Sequence, residues 1–314
     1  MSRIDRPIRV VKERLQDTAV EAPARGALAH WRSMREPYRT LDSIRRYTDP
    51  VPRYGHGHPF HRRLYDIIDA GRPRYRSLVG QFDQLREHYL QIPIQPGPDP
   101  VQPHWDNGWI PRLDGIALYC MVATTDPALY LEVGSGISTK FVRRAIEDHG
   151  LRTRIVSIDP HPRAEVDALC DEVIRGRLET VGVATILDRI GPGDIVFLDG
   201  SHRSFMNSDA TVFFLEIFPE LPPETLVHVH DIYLPADYPL TWAHRYYTEQ
   251  YLLATWLLGG SAGYEVHCPN YFISQDDELN GLLAGVWNDQ RMSDSDPHGC
   301  ASFWLRRTDL HGAL

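Results

Sequence analysis

Ala128-Leu-Tyr-Leu-Glu-Val133 runs straight into Gly134-Ser-Gly136, and the reading of this stretch decides the fold. A short apolar run bounded by turn residues reads as a buried strand. The glycines then turn the chain into a helix, read from Phe141 to His149. The same unit recurs downstream. Arg154-Ile-Val-Ser-Ile-Asp159 is a second strand and Asp171-Glu-Val-Ile-Arg175 a third. Thr180 to Ile190 is helical and stops at Gly191-Pro-Gly193; Asp194-Ile-Val-Phe-Leu-Asp199 is a fourth strand. Ser204 to Glu220 is a helix and Thr225-Leu-Val-His-Val-His230 a fifth strand. Strands alternating with helices make an α/β fold with a parallel sheet, and its buried strands should be apolar on both faces. Beyond Asp231 the pattern predicts a long aromatic-rich helix over Tyr238 to Leu258. It also predicts strands at Gly263–His267 and Ser302–Arg306, with a helix near Asp277 to Trp287 between them. That makes about seven strands.

Upstream the pattern differs. Residues 1–55 are rich in Arg and Pro and predict an irregular arm with one short helix. In 61–91, Tyr75, Leu78, Val79, Phe82, Leu85 and Tyr89 fall on one helix face. Between Pro93 and Pro103 stand five prolines in eleven residues, which exclude helix interior and central strand. This places a boundary: an N-terminal arm, helices and Pro-rich crossing segment over 1–104, then an α/β domain over 105–314.

The 314 residues suit one large domain or one domain with an extension. With 42% hydrophobic and 24% charged residues, the chain is neither fibrous nor disordered throughout. Thirty-three Lys and Arg against 42 Asp and Glu leave a net charge of −9, which does not advertise a nucleic-acid or anionic-membrane partner. Arg152, Arg154, Arg163, Arg175 and Arg177 are scattered and read as solvated charge. The four cysteines, Cys120, Cys170, Cys268 and Cys300, form no C-x-x-C pair and read as reduced, mostly buried thiols. No signal peptide and no membrane-spanning run is visible, so a cytoplasmic location is expected.

Two acids end the first two strands: Glu132 just ahead of Gly134 and Gly136, and Asp159. In open α/β sheets, ligands bind outside the carboxyl ends of the strands. An acid at the tip of the second strand can accept hydrogen bonds from both ribose hydroxyls. The glycines let backbone approach a ligand closely. A dinucleotide fingerprint wants a third glycine, and Thr139 stands there; no P-loop is present. A carboxylate at Glu132 repels pyrophosphate but suits a cationic sulfonium. The pattern therefore favours S-adenosylmethionine over NAD.

Tyr130-Leu-Glu-Val-Gly-Ser-Gly-Ile-Ser-Thr-Lys140, Ser157-Ile-Asp-Pro160 and Asp194-Ile-Val-Phe-Leu-Asp-Gly-Ser-His202 resemble class I S-adenosylmethionine-dependent methyltransferases. More narrowly they resemble the bacterial branch called methyltransferase domain 24, which Val229-His-Asp-Ile-Tyr-Leu-Pro235 and Glu249-Gln-Tyr-Leu-Leu253 also fit. The resemblance covers about 105–307. It implies a Rossmann-like seven-stranded sheet, last strand antiparallel, flanked by helices. It implies Glu132, Gly134 and Gly136 around the methionine moiety and Asp159 on the ribose. Ser135, Ser138, Thr139 and Lys140 could add hydroxyl or backbone contacts, and Asp199 borders the cofactor. Ser138 stands where the family's glycine motif commonly has a further glycine.

Asp199, His202, His230 and Asp231 follow the fourth and fifth strands and form the candidate reaction site. Either His202 or His230 serves as a general base with a pKa near neutral, or Asp199 and Asp231, with His230, hold a divalent ion such as Mg²⁺. Related metal sites usually place an Asp or Asn after the last acid; Ile232 stands there, which weighs against a metal. His56, His58 and His61 read as a solvated loop rather than a metal site. Trp105-Asp-Asn-Gly-Trp109 fits a substrate cleft or core packing equally. Trp242, Tyr246, Tyr247, Tyr251 and Trp256 read as a core or interface stripe, and Arg245 with Glu249 as a surface pair.

The expected function is O-methylation of a small molecule or glycan, by a chain that can self-associate. The alternatives are an NAD-dependent oxidoreductase and a non-catalytic nucleoside-binding protein on the same fold.

Overall fold

The structure is a computed structural model and describes residues 48–162, 165–292, 296 and 298–308. The chain divides into two compact units, Met1–Val51 and Pro52–Leu314. Of the first, residues 48–51 are described and carry no regular element; the arm expected before them, and Arg163, lie outside the described residues. The proline-rich stretch 93–103, expected to separate two parts, lies inside the second unit.

That unit is built on a seven-stranded sheet: β1 Leu129–Val133, β2 Arg154–Ile158, β3 Glu172–Ile174, β4 Ile195–Leu198, β5 Leu226–Val229, β6 Tyr264–Pro269 and β7 Phe303–Arg307. The spatial order is β3-β2-β1-β4-β5-β7-β6. β1 to β5 pair in parallel, and β7 runs antiparallel to both β5 and β6. This is the Rossmann-like sheet that the resemblance implies. β1, β4 and β5 are buried at every position, as parallel strands covered on both faces must be.

The expected helix over 61–91 is broken by Gly71 and at Leu85 into α1 (Arg62–Asp69), α2 (Arg72–Gln84) and the single turn Arg86–Tyr89. Tyr75, Leu78, Val79 and Phe82 make the buried face of α2. They share one continuous core with the sheet.

A helix the sequence reading missed, α3 (Arg112–Thr125), packs on α4 (Ile137–His149) and α2. Every residue from Arg112 to Val122 is buried. A helix covered all round shows no amphipathic period, which is why the pattern hid it. Where one helix was expected over Ser204–Glu220, residues 199–208 form a loop. α5 (Asp209–Val212) then passes through a π-helical turn at Phe213–Ile217. The helix expected over Tyr238–Leu258 is also interrupted. Leu240–Arg245 is a 3₁₀ turn, Tyr246 takes a left-handed φ of 56°, and α6 runs Glu249–Leu258.

Candidate active site

The carboxyl ends of β1, β2 and β4 frame a cavity of about 380 Å³ lined by Gly134, Ser135, Asp159, Arg177, Asp199 and Ser201, among others. Gly134 is dictated by geometry. Its φ is +83°, and a Cβ there would fall 1.9 Å from the Asp199 carbonyl oxygen. Ser135 follows, and its N–H donates to Asp159 Oδ2 at 2.8 Å. The other Asp159 oxygen accepts the His161 N–H at 2.7 Å. A carboxylate offers about four acceptor sites, so each oxygen keeps capacity for a ligand hydroxyl. Gly136 differs from Gly134: its φ is not left-handed, and a Cβ would meet nothing within 4 Å. Gly136 borders a small cavity with Trp109, Ser138 and Asp199.

Glu132 is not the free carboxylate that the sequence suggested. Its side chain is fully buried and lines none of the cavities described here. It accepts hydroxyl hydrogens from Tyr130 at 3.2 Å, Ser138 at 3.1 Å and Thr139. Burial pushes its pKa up to about 8 against the pull of those donors. Thr139 Oγ1 also accepts the Gly136 N–H at 3.2 Å. Glu132, Ser138 and Thr139 thus brace the glycine turn from inside. Lys140, expected near the cofactor, donates its Nζ proton to the Pro100 carbonyl and ties down the proline-rich crossing.

A second cavity of about 400 Å³ brings Asp199, His202, His230 and Asp231 together. His202 Nε2 lies 3.1 Å from Asp199 Oδ1 and 3.4 Å from Asp231 Oδ2. His230 Nδ1 lies 3.3 Å from Asp231 Oδ1 and 3.8 Å from Asp199 Oδ1. His202 and Asp231 take left-handed φ values of 58° and 57°, strained for non-glycine residues and common at functional sites.

The electrostatics correct the expectation of a neutral histidine. Burial alone would lower both imidazole pKa values, but the carboxylates overcome it. Glu249, Asp199 and Asp231 hold His202 well above its ordinary range. Asp199, Asp231 and Asp114 do the same for His230. In return, the two rings draw the Asp199 carboxyl below its usual value despite its burial. The arrangement therefore favours the protonated form of both rings.

Two partners were missed. Glu249, expected on the surface with Arg245, is 1% exposed and bonds His202 Nδ1. Asp114, on the overlooked α3, accepts the N–H groups of Ala301 at 2.7 Å and Ser302 at 3.0 Å, and lies 3.6 Å from His230 Nε2. Glu249 heads the interrupted helix, so only the break at Tyr246 would have revealed its direction.

The aromatic motifs divide. Trp105 is buried, its ring 5.0 Å from that of Phe141, and it also borders the second cavity. Trp109 is 59% exposed and faces the second cavity. Asn107 shapes the turn between them, its Oδ1 accepting the N–H groups of Trp109 and Ile110. Of the aromatic stripe, the half-buried Trp256 packs on Phe218, whereas Trp242 and Tyr247 line the cavity. His56 bonds the Asp237 carbonyl and His61 caps α1, so that loop is structural. Among the described residues, Asp199, His230 and Asp231 are the group suited to a metal, their ligand atoms all within 4.8 Å of one another.

Residues 131–232 match the family model described as a methyltransferase domain. Over that segment the class I methyltransferase resemblance is borne out. No curated protein matches the chain. Similar solved structures include the MycE methyltransferase of mycinamycin biosynthesis with Mg, S-adenosylhomocysteine and mycinamycin VI. It is 17% identical over 60% of this chain and 47% of that one, with a TM-score of 0.34. This chain thus spans about half of that protein. The O-methyltransferase TomG from Streptomyces achromogenes, in complex with S-adenosylmethionine, is 17% identical over 62% and 79%, TM-score 0.30. An O-methyltransferase from Bacillus cereus with S-adenosylhomocysteine is 14% identical over 74% and 91%, TM-score 0.34. No helix among the described residues is long and apolar enough to cross a membrane.

Proposed function

We propose that the chain is an S-adenosylmethionine-dependent methyltransferase acting on a hydroxyl of a small molecule or glycan. The matched methyltransferase domain supports the reaction class. The observation that carries the reading is the place of Asp199, which lines both the cavity of Gly134 and Asp159 and the cavity of His202, His230 and Asp231. One carboxylate stands where a cofactor and an acceptor would meet.

Bound S-adenosylmethionine supplies an already activated methyl group, so the protein's task is mainly positioning and exclusion of water. Asp159 would hold the ribose hydroxyls and Ser135 the turn beside them. The open space at Gly136 lets backbone approach the ligand. Glu132, Ser138 and Thr139 keep that turn in shape. In the second cavity the acceptor hydroxyl lies against Asp199 and Asp231. His202 and His230 balance the charge of these acids; Asp199, held below its usual range by the two rings, orients the hydroxyl, and Asp231 takes its proton.

A divalent cation on Asp199, His230 and Asp231 is the second reading. It is favoured by the convergence of their ligand atoms, His230 presenting Nδ1 to both carboxylates at 3.3 Å and 3.8 Å. Two carboxylates and an imidazole suit a borderline-hard divalent ion. It would lower the pKa of the acceptor hydroxyl, and His230 would release a proton to bind it. An NAD site is disfavoured because Thr139 fills the position of the third glycine with a buried, doubly bonded hydroxyl.

Calorimetry with S-adenosylhomocysteine and with NADH tests the reading. The expected result is binding of the first alone, together with transfer of label from S-adenosylmethionine to hydroxylated acceptors. Absence of S-adenosylhomocysteine binding would sink it; binding without transfer would favour the non-catalytic alternative.

A further inference from the structure

Arg245 lines the second cavity. Its guanidinium carbon lies 3.7 Å from the Trp242 ring centroid and 5.6 Å from that of Tyr247. Such stacking fixes the guanidinium plane and leaves the N–H donors at its edge. Among the described residues, no carboxylate pairs with Arg245 and no acceptor takes its side-chain hydrogens; only its backbone carbonyl is engaged, by Arg203 Nε at 3.1 Å. Arg112, on the same cavity wall, is committed: it donates to the Met292 sulfur at 3.4 Å and pairs with Asp106 at 3.5 Å. The exposed Arg203 guanidinium lies 5.9 Å from the Tyr247 ring. Arg245 is thus a cation without a carboxylate partner on the wall of a cavity, in a chain of net charge −9.

Resting on the methyltransferase reading, we propose that Arg245 receives a carboxylate of the acceptor. The acceptor is a hydroxylated ring bearing a carboxylate away from the hydroxyl to be methylated. Trp242, Tyr247 and Trp109 supply apolar faces for the ring. Four carboxylates, Asp199, Asp231, Glu249 and Asp114, surround the two imidazoles at the reacting end; a further negative charge is disfavoured there, so the carboxylate belongs at the Arg245 end. A guanidinium grips a carboxylate through two parallel N–H···O bonds, giving this end of the cavity its selectivity.

The test uses full-length protein saturated with S-adenosylhomocysteine and two matched pairs of probes: protocatechuate with its alcohol, and glucuronate with glucose. Titration calorimetry should show the acid of at least one pair binding about tenfold or more tightly than its neutral partner, the scale of one charge-assisted bidentate contact. Arg245→Met retains an apolar cover over Trp242 and should erase that preference without changing S-adenosylhomocysteine affinity. Arg245→Lys, a point charge without the fork, should keep part of it. The pair that responds distinguishes an aryl acid from a sugar acid. Equal binding of acid and neutral probes, failure of both acids to bind, or a preference that survives Arg245→Met would overturn the assignment. If the wild type fails to bind S-adenosylhomocysteine, the methyltransferase reading itself falls, and the assignment with it.

Discussion

His202 Nδ1 and Glu249 Oε1 meet in a hydrogen bond with both side chains almost wholly shielded from water. The same contact is reinforced by backbone, since the His202 carbonyl accepts the Thr248 N–H at 2.8 Å and the Glu249 N–H at 3.3 Å. The loop after β4 and the start of α6 are thereby locked together. The ring cannot turn away from Asp199 and Asp231 without breaking a buried charged contact, which is costly when one partner is left behind.

A pH dependence of stability follows. Folded His202 holds its proton more tightly than a free imidazole. Its contribution is fully present below the ordinary histidine range near 6.5 and is lost as pH rises through the raised folded value. Glu249→Gln keeps the shape and removes the charge. In metal-free buffer the variant should melt several degrees below wild type at pH 6, and the gap should narrow toward pH 9. A gap independent of pH would show that Glu249 acts through packing alone.

Asp159 tests the cofactor pocket. Hydrogen bonds to a charged group contribute roughly 1.5–3 kcal/mol each. Asp159→Ala should therefore weaken S-adenosylhomocysteine binding by at least about tenfold in calorimetry. Unchanged affinity would remove Asp159 from the ribose-binding role. Because Asp159 also holds the Ser135 and His161 N–H groups, the comparison should include the melting temperature.

Much of this was legible in the sequence for a physical reason. Parallel strands leave short apolar runs, and a ligand crevice at their carboxyl ends leaves acids and glycines just after them, so Asp159, Asp199 and Asp231 could be placed by position alone. Side-chain direction could not. Glu132 obeys the same rule as Asp159, yet it turns inward to three hydroxyls. Glu249 and Arg245 stand four apart, as surface pairs do, but the left-handed Tyr246 separates them into different elements. Asp114 was hidden because a helix buried on every side has no polar face to betray it.

The candidate metal group gives a direct removal experiment. A divalent ion that binds only the folded chain raises stability by mass action, about 2.7 kcal/mol at a hundredfold excess over Kd. Titrating Mg²⁺ or Mn²⁺ into chelator-treated protein should then raise the melting temperature. Asp231→Asn should abolish the rise, and chelation should lower methyl transfer in the wild type. A melting temperature indifferent to both ions would exclude this metal reading and leave proton acceptance by Asp231.

Gly134 and Gly136 separate folding from ligand approach. An alanine at Gly134 must adopt φ +83° and press its Cβ to 1.9 Å from the Asp199 carbonyl oxygen. Left-handed strain of roughly 1–2 kcal/mol adds to about 1–3 kcal/mol of overpacking. Gly134→Ala should therefore lower the melting temperature markedly and disturb Asp199 in both cavities. Gly136 does not take a left-handed φ, and nothing lies within 4 Å of a Cβ built there. The same substitution there should leave stability within about 0.5 kcal/mol of wild type, yet weaken S-adenosylhomocysteine binding by about tenfold, because the added methyl occupies space a ligand needs. If Gly136→Ala binds as the wild type does, close backbone approach at this turn is excluded, and the cofactor must be held from the Asp159 side alone.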